Sequence, residues 1–526
     1  MTVPTSPPAT PIINPATCER IGTSLIDTAP DVKASIARAR AAQPAWAALP
    51  LRERVRRIRR LRDIVVERAD ELADIISRDN GKVRLDALAA EIVPAAMAAS
   101  YYAKKARRFL APRSTGTGSV FLFFKRGRIV RQPRGVVGII SPWNYPFAIP
   151  FSEVVTALLS GNAVVLKTAS ETQLVGRALE SCIAAAGLPP GVFRYVNIPG
   201  RLAGAAFLEG GVDKLFFTGS TAVGKLLMKK AAETLTPLVL ELGGNDPMIV
   251  LDDADVERAA AGAVWAGLSN SGQSCGAVER IYVQAPVYDR FLAALKARVE
   301  ALRVGPDPDF ASDMGCMTTE RQIETVELHI EDALGRGAVL FARSPLAPDA
   351  SGLLNYLPAT VLTNVDHGML LMREETFGPL LGVMKFTAED EAVALANDST
   401  LGLTASVWSR SRRRAARVGR RLKTGVVMLN DHLMSHGLAE TPWGGFKESG
   451  FGWTHGRFGF DEMTHAQVVV RDILPFVKKD LWWPPYSEKL YRGLGGILEA
   501  LYGRGIGRRV RGLGRVLRIF PRMFKK

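Results

Sequence analysis

The sequence predicts an α/β protein built around a doubly wound, mostly parallel sheet of the nucleotide-binding kind. Five short, continuous apolar runs carry that prediction: VVGII (136–140), AVVLK (163–167), VFRYV (192–196), KLFFTG (214–219) and PLVLEL (237–242). Uninterrupted β-branched runs mark strands buried on both faces, which parallel sheets need. The stretches between them, such as 152–160 and 172–187, are Ala-rich and of helix length, as βαβ crossovers require.

The remaining elements follow in chain order. The first dozen residues are rich in Pro and Thr and are expected to be loose. From about 31 to 109 apolar residues recur at three- and four-residue steps (Ile58, Leu61, Val65; Leu72, Ile75, Ile76), the period of packed helices. Its Arg-rich segment RERVRRIRRLRD reads as a solvated face, because the aromatic interleaving of a single-strand nucleic-acid site is missing. A second α/β block begins near Pro247 and runs to about Asn430, opening on an Asp-rich turn before an Ala-rich helix. The stretches 121–132 and 466–472 alternate apolar and basic side chains and are expected as a partly exposed sheet available for subunit contact.

At 526 residues, with 47% hydrophobic and 23% charged, the chain is long enough for two to four domains of about 150 residues. That balance excludes a disordered or fibrous chain. Cys18, Cys182, Cys275 and Cys316 are scattered without metal-ligand spacing, which argues against a disulfide scaffold or a zinc ribbon. No metal is expected. The N-terminus lacks a basic and apolar leader, and no run of about 18 apolar residues occurs, so neither a secretory signal nor a spanning helix is expected.

Four local features carry chemistry. Cys275, in NSGQSCGAVER, lies in a small-residue loop where its thiolate could attack a carbonyl carbon. Glu241 ends an apolar strand before two glycines, where desolvation would raise its pKa toward that of a useful general base. Asn144, in SPWNYPF, could offer its amide to an oxyanion, with the backbone N–H of Cys275 as the second donor. FFTGSTAVGK (216–225) ends a strand at Gly219, with Gly224 five residues on and a helix to follow, so backbone N–H groups and a helix N-terminus could meet a pyrophosphate. Taken singly, each has a bland reading: a structural cysteine, an ion-paired glutamate, a turn asparagine, a turn.

Together they resemble a known family. The collinear set SPWNYPF, VVLKTASE, FFTGSTAVG, LELGGNDP, GQSCG, EETFGPLL and PWGGFKESGFG, over roughly residues 12–475, is similar to the aldehyde dehydrogenase superfamily. The resemblance implies a Rossmann-like dinucleotide-binding domain (1–119 and 136–242), an α/β catalytic domain (243–445) and a small β oligomerisation arm (120–135 and 463–475). It implies a homo-oligomer that oxidises an aldehyde to a carboxylic acid with NAD or NADP. Cys275 would form the thiohemiacetal and then the thioester, Asn144 would hold the oxyanion, and Glu241 would activate the hydrolytic water. Trp143, Lys167, Ser170, Gly219, Ser220, Gly224, Glu375 and Phe377 would meet the cofactor. Tyr145 and Trp443 would border the substrate tunnel, with the loop 431–441 setting selectivity. A CoA-acylating relative would not need Glu241 to activate water, and a non-catalytic scaffold would be expected to have lost Cys275, Glu241 or Asn144.

Two departures stand out. NAD-preferring relatives often read K-P-S-E; here Ser170 replaces the Glu beside Lys167, so a 2′-phosphate is not repelled and dual use of NAD and NADP is expected. His465 falls where some relatives carry a proton-relay Glu, and could shuttle a proton.

Most soluble members of the superfamily lack the basic extension 476–526, which resembles the tail of some extended members in its Trp-Trp-Pro and Leu-Tyr-Gly strings. The net charge of +16 is concentrated there: 501–526 carries nine Lys or Arg and no acidic residue, leaving 59 basic against 52 acidic residues elsewhere. At about 100° per residue, Ile506, Val510, Leu513, Leu517 and Phe520 share one face, and Arg508, Arg511, Arg515, Arg518 and Arg522 the opposite one. Such a helix lies in an anionic membrane surface, or packs on the enzyme's own body or a neighbouring subunit, or meets an acidic protein or a nucleic acid; the first is expected here. Gly505, Gly507, Gly512 and Gly514 weaken it in isolation. A cytoplasmic enzyme is expected, peripheral to a membrane if the tail attaches.

Overall fold

A computed structural model describes residues 8–525. They form two compact units, one of residues up to 109 and 133–465, the other of 110–132 and 466 onward.

In the first unit the five apolar runs become strands β1 (Val136–Ile140), β2 (Ala163–Lys167), β3 (Phe193–Tyr195), β4 (Lys214–Thr218) and β5 (Leu238–Glu241). They pair in parallel in the order β5-β4-β1-β2-β3, with the short strand Gly450–Phe451 antiparallel outside β5. Every residue of β1, β2, β4 and β5 is buried, which is why they read as unbroken apolar runs. Helices α1 (Ala148–Leu159), α2 (Gln173–Ala185), α3 (Gly200–Gly210) and α4 (Thr221–Ala231) make the connections. All residues of α1 are buried, as its apolar circumference demands. The chain steps outward from β1 to β3 and then crosses back to β4, so the strand order reverses between β1 and β4. The crevice beyond the carboxyl ends of two such strands is where open α/β sheets bind ligands. Trp143 and Asn144 follow β1, and Gly219 and Ser220 follow β4.

Only residues 242–245 separate β5 from β6 (Asp246–Val250), so one sheet ends almost where the next begins. With β7 (Val278–Gln284), β6 lies in a seven-stranded sheet ordered Val339–Arg343, Thr360–Thr363, Leu380–Phe386, β7, β6, Thr404–Trp408, Val426–Leu429. All neighbours are parallel except Val339–Arg343.

The N-terminus departs from expectation. Where looseness is predicted, Ala9–Ile13 pairs antiparallel with Arg20–Leu25. Only Ile12 of the first strand is buried, so no apolar run announces it. Residues 1–7 lie outside the described residues.

In the second unit Arg113–Thr115, Lys125–Pro133 and Thr464–Asp472 form a three-stranded sheet. The strand expected from 121 starts at Lys125, after a 3-10 turn at Val120–Leu122. The arm and the C-terminal extension, expected as separate pieces, belong to this one unit. Phe124 packs with Leu481, Leu490, Ile519 and Met523, and Lys125 pairs with Asp472 at 2.7 Å and Asp480 at 2.8 Å.

The tail is a pair of helices, α5 (Glu488–Tyr502) and α6 (Ile506–Ile519), and not a single one. They meet along Gly493, Gly496, Gly512, Val516 and Ile519. A Cβ on Gly496 or Gly512 would come within 2.6 Å of the other's carbonyl oxygen, so here the glycines permit close packing. The apolar face predicted from the sequence is left outside: Ile506 is 83% exposed and Val510 61%, with Leu513 and Leu517 also exposed. Phe520 departs from that face and packs, half-buried, against the unit's core. Lys526 lies outside the described residues.

Candidate active site

The residues singled out in the sequence come together where the first unit's two sheets meet. Cys275 sits in the loop between the turn Ser269–Gly272 and β7. Asn270, Ser271 and Gly272 have φ of 51°, 57° and 71°, and two consecutive non-glycine residues there cost about 1 kcal/mol or more each. The surroundings fix the turn. Asn270 N donates to Asp86 Oδ2 at 2.9 Å, its Nδ2 donates to the carbonyls of Asn144 (3.0 Å) and Gln273 (3.2 Å), and Ser271 Oγ donates to Gly315 O at 2.9 Å.

Cys275 Sγ–H donates to Glu241 Oε1 at 3.5 Å. Burial, then the carboxylates of Glu241, Glu375 and Asp246, hold the thiol well above its ordinary pKa. Glu241 ends β5, and burial pushes its carboxyl up to about 7, against hydrogen bonds from Trp443, Cys275 and Thr218 that favour the ionised form. Trp443 Nε1–H donates to the same Oε1 at 2.8 Å.

Asn144 Nδ2–H donates to the Gln273 carbonyl at 3.1 Å, two residues before Cys275. The Asn144 carbonyl accepts from Lys82 Nζ at 2.7 Å. Lys82 also pairs with Glu91 at 2.6 Å, both side chains being fully buried. Glu91 Oε2 accepts from the N–H groups of Phe147 (2.7 Å) and Ala148 (3.2 Å), clamping the start of α1. Lys82, Glu91 and Asn270 escaped the sequence reading. A lone carboxylate in LAAEIVPAAMAA is the signal that exposes Glu91, because an isolated charge in an apolar stretch is buried only when paired.

Of the residues expected at the cofactor, Trp143 follows β1 and Gly219 and Ser220 follow β4, on either side of the switch point. Ser220 is the N-cap of α4 with its side chain uncommitted, so the N-terminal N–H groups of a three-turn helix open onto the crevice. Gly219 precedes it, and a Cβ at Gly224 would come within 2.8 Å of Leu242, so the glycine lets the helix sit close to the strand's exit. Lys167 ends β2, and burial lowers its pKa against the pull of Glu171. Ser170 follows, half-buried. The Trp143 and Phe377 rings meet edge to face at 5.5 Å. Glu375 Oε1 accepts from Gly244 N at 2.9 Å, and burial, then Glu279, raises its pKa well above the usual carboxylate range. A helix N-terminus, a buried ammonium and the Glu375 carboxylate fit a dinucleotide's pyrophosphate and ribose hydroxyls.

Cys275 opens onto a cavity of about 190 Å³ whose lining includes Tyr145, Ile149 and Trp443. Leu433, Met434, His436 and Gly437, from the loop 431–441, close one side. His465 is not among the lining residues; its Nδ1 lies 3.2 Å from Arg134 Nη1, and desolvation and that guanidinium lower its pKa.

The family model for the aldehyde dehydrogenase family matches residues 3–469. The chain belongs to that family. It is 41% identical to the 4,4'-diapolycopene aldehyde oxidase of Methylomonas sp. over 474 residues, 90% of this chain and 87% of that one. It is similar to an NADP-dependent enzyme of E. coli (34% identity, TM-score 0.84, 89% and 95% of the two chains). It is also similar to a betaine aldehyde dehydrogenase of Staphylococcus aureus in complex with NAD+ (31% identity, TM-score 0.84, 91% and 94%). As an aldehyde dehydrogenase it is an oxidoreductase that oxidises an aldehyde with NAD or NADP.

Proposed function

We propose that Cys275, Glu241 and Asn144 carry this oxidation, and the single observation behind it is the Sγ–H to Oε1 contact at 3.5 Å. Glu241, with its carboxyl near 7, accepts the thiol proton, and the thiolate adds to the aldehyde carbon. The second N–H of the Asn144 amide and the backbone N–H of Cys275 hold the oxyanion. That charge makes the carbon's hydrogen a hydride donor, and bound NAD(P) supplies the acceptor. Once it has released its proton, Glu241 draws one from water, which attacks the Cys275 thioester and frees the acid.

Around this centre the first sheet and its helices form the dinucleotide domain. Trp143, Gly219, Ser220 and Gly224 meet the pyrophosphate, Lys167 and Ser170 the adenosine ribose, and Glu375 and Phe377 the nicotinamide side. The second sheet forms the catalytic domain, with Tyr145 and Trp443 at the substrate. The enzyme works as a homo-oligomer through the exposed strand Thr464–Asp472, in the cytoplasm. The basic pair α5–α6 attaches it to an anionic membrane surface; no helix among the described residues is long and apolar enough to cross one.

The test is to quench Glu241→Gln in acid after mixing with aldehyde and NAD(P) at alkaline pH, where the Cys275 thiol can lose its proton to solvent without the carboxylate and only the hydrolytic base is missing. Mass spectrometry should find the acyl group on the peptide containing Cys275. Turnover with no acyl group there, or full turnover by Cys275→Ser, overturns the assignment.

A further inference from the structure

The cavity at Cys275 does not stand alone. Asp86, Ala89, Trp265 and Ser269 line it and also line a second, larger hollow of about 620 Å³. The two therefore adjoin across these residues, the inner one reaching Cys275 and the outer one bordered by Leu85, 64% exposed, and Phe310, 63% exposed. Both hollows lie within the first unit.

The lining of the inner cavity is unusual in what it lacks. Ala89, Ala90, Pro94, Ile149, Leu433 and Met434 make up much of it, and among the described residues neither Lys nor Arg contributes. His436 offers no cation either, since burial pushes its pKa down to about 4. The one titratable carboxyl on the wall besides the catalytic centre is Asp86. A carboxylate on the substrate would lose its water here, find no positive partner and face that group.

The wall is also kept open. Ala89 and Ala90 sit on a five-residue π-helix, Leu88–Ile92, and π-turns recur at functional sites because they re-aim side chains. Here the wide turn points Glu91 into its buried pair with Lys82 and leaves two methyl-sized side chains on the cavity wall. Outward, Val83, Leu85, Val264, Leu268, Leu302 and Phe310 continue the apolar track. The arginines of this outer hollow, Arg298 and Arg303, are held by Glu257 at 2.8 Å and Asp313 at 2.6 Å.

We infer that the substrate is a long, apolar aldehyde, its carbonyl at Cys275 and its chain laid through the inner cavity past Ala89 and Trp265 into the outer hollow, and that short aldehydes bearing a carboxylate are rejected. The inference rests on the assignment of Cys275 as nucleophile. A chain too short to leave the inner cavity gains nothing from the outer track; each further methylene adds buried apolar area.

The experiment compares kcat/KM, with NAD and with NADP, for straight-chain aldehydes from butanal to dodecanal and for succinic semialdehyde. Dodecanal should exceed butanal by about tenfold or more, and succinic semialdehyde should fall roughly a hundredfold below the best alkanal. Ala89→Phe, which narrows the junction, should lower the dodecanal-to-butanal ratio by about tenfold. A flat profile, an unchanged ratio in Ala89→Phe, or a preference for succinic semialdehyde overturns the inference while leaving the nucleophile in place. Absence of turnover with every aldehyde overturns the underlying assignment as well.

Discussion

Trp443 Nε1–H donates at 2.8 Å to Glu241 Oε1, the same oxygen that accepts from the Cys275 thiol. The indole is thus more than a wall of the substrate cavity; it orients the carboxylate and favours its ionised form. Burial alone drives the Glu241 carboxyl upward, and the indole is the first of the bonds that restrain it near 7. A general base works only when deprotonated, so turnover should fall as pH drops through about 7. Trp443→Phe keeps the ring and removes the donor. A hydrogen bond to a charged group is worth about 1.5–3 kcal/mol, about one to two pH units. The acid limb of the kcat profile should therefore move up by about one unit, with activity regained in alkaline buffer. A loss uniform across pH would mean that Trp443 acts only by packing.

The sequence and the structure diverge in an instructive way around this pair. Glu241 and Cys275 were legible because each stands at a strand end or in a glycine-flanked loop, where an apolar run stops abruptly. Four of the five strands of the first sheet, β1, β2, β4 and β5, were legible because they are buried throughout and read as unbroken apolar runs. The partnership of Trp443 with Glu241 spans 202 positions and leaves no periodic trace. Nor did the Lys82–Glu91 pair, whose meaning depends on α1 being packed against it. The hairpin Ala9–Ile13 with Arg20–Leu25 was hidden because half-exposed strands lack an apolar run. In the tail, the composition identified the amphipathic helix but not its partner helix, since glycine-to-glycine contact has no hydropathy signature.

Breaking the buried pair should cost more than any surface ion pair in the chain. Lys82 and Glu91 are both fully buried, and together they hold the Asn144 carbonyl and the first N–H groups around α1. Lys82→Met leaves the Glu91 carboxylate without its counter-ion, at a cost of about 3–5 kcal/mol. The thermal midpoint should fall clearly. Adding Glu91→Leu should restore part of the loss, since no lone charge remains. Asn144 should lose its registry in both, so kcat stays low even where stability returns. Equal midpoints for wild type and Lys82→Met would refute the clamp.

Cofactor choice turns on Ser170. With a hydroxyl beside Lys167 where a carboxylate would repel a 2′-phosphate, the wild-type ratio of kcat/KM for NAD over NADP should stay below about a thousandfold, roughly 4 kcal/mol. Ser170→Glu restores the repulsion and should depress NADP turnover by about tenfold while sparing NAD. The measurement is absorbance of the reduced nicotinamide under both cofactors. An unchanged ratio in Ser170→Glu would place discrimination elsewhere, for instance at the exposed neighbour Glu171.

The α5–α6 pair offers the last test, and its geometry decides which substitutions are informative. Removing the whole extension would uncover Phe124, which packs against Leu481, Leu490, Ile519 and Met523, and would confound binding with folding. The exposed face can instead be altered alone. Val510 and Leu517 are 61% and 60% exposed, and neither contributes to the glycine contact between the helices. Apolar side chains there, with arginines on the opposite face, suit a helix lying in the plane of an anionic surface, each basic residue adding about 1 kcal/mol. The full chain should sediment with vesicles containing phosphatidylserine, less with pure phosphatidylcholine, and less again in high salt. Val510→Asp with Leu517→Asp should reduce sedimentation to a weak, salt-sensitive remainder and leave butanal turnover intact. Because the attraction of arginines to acidic lipid survives that change only weakly without insertion, binding by the double variant equal to wild type would exclude the apolar face from any such contact.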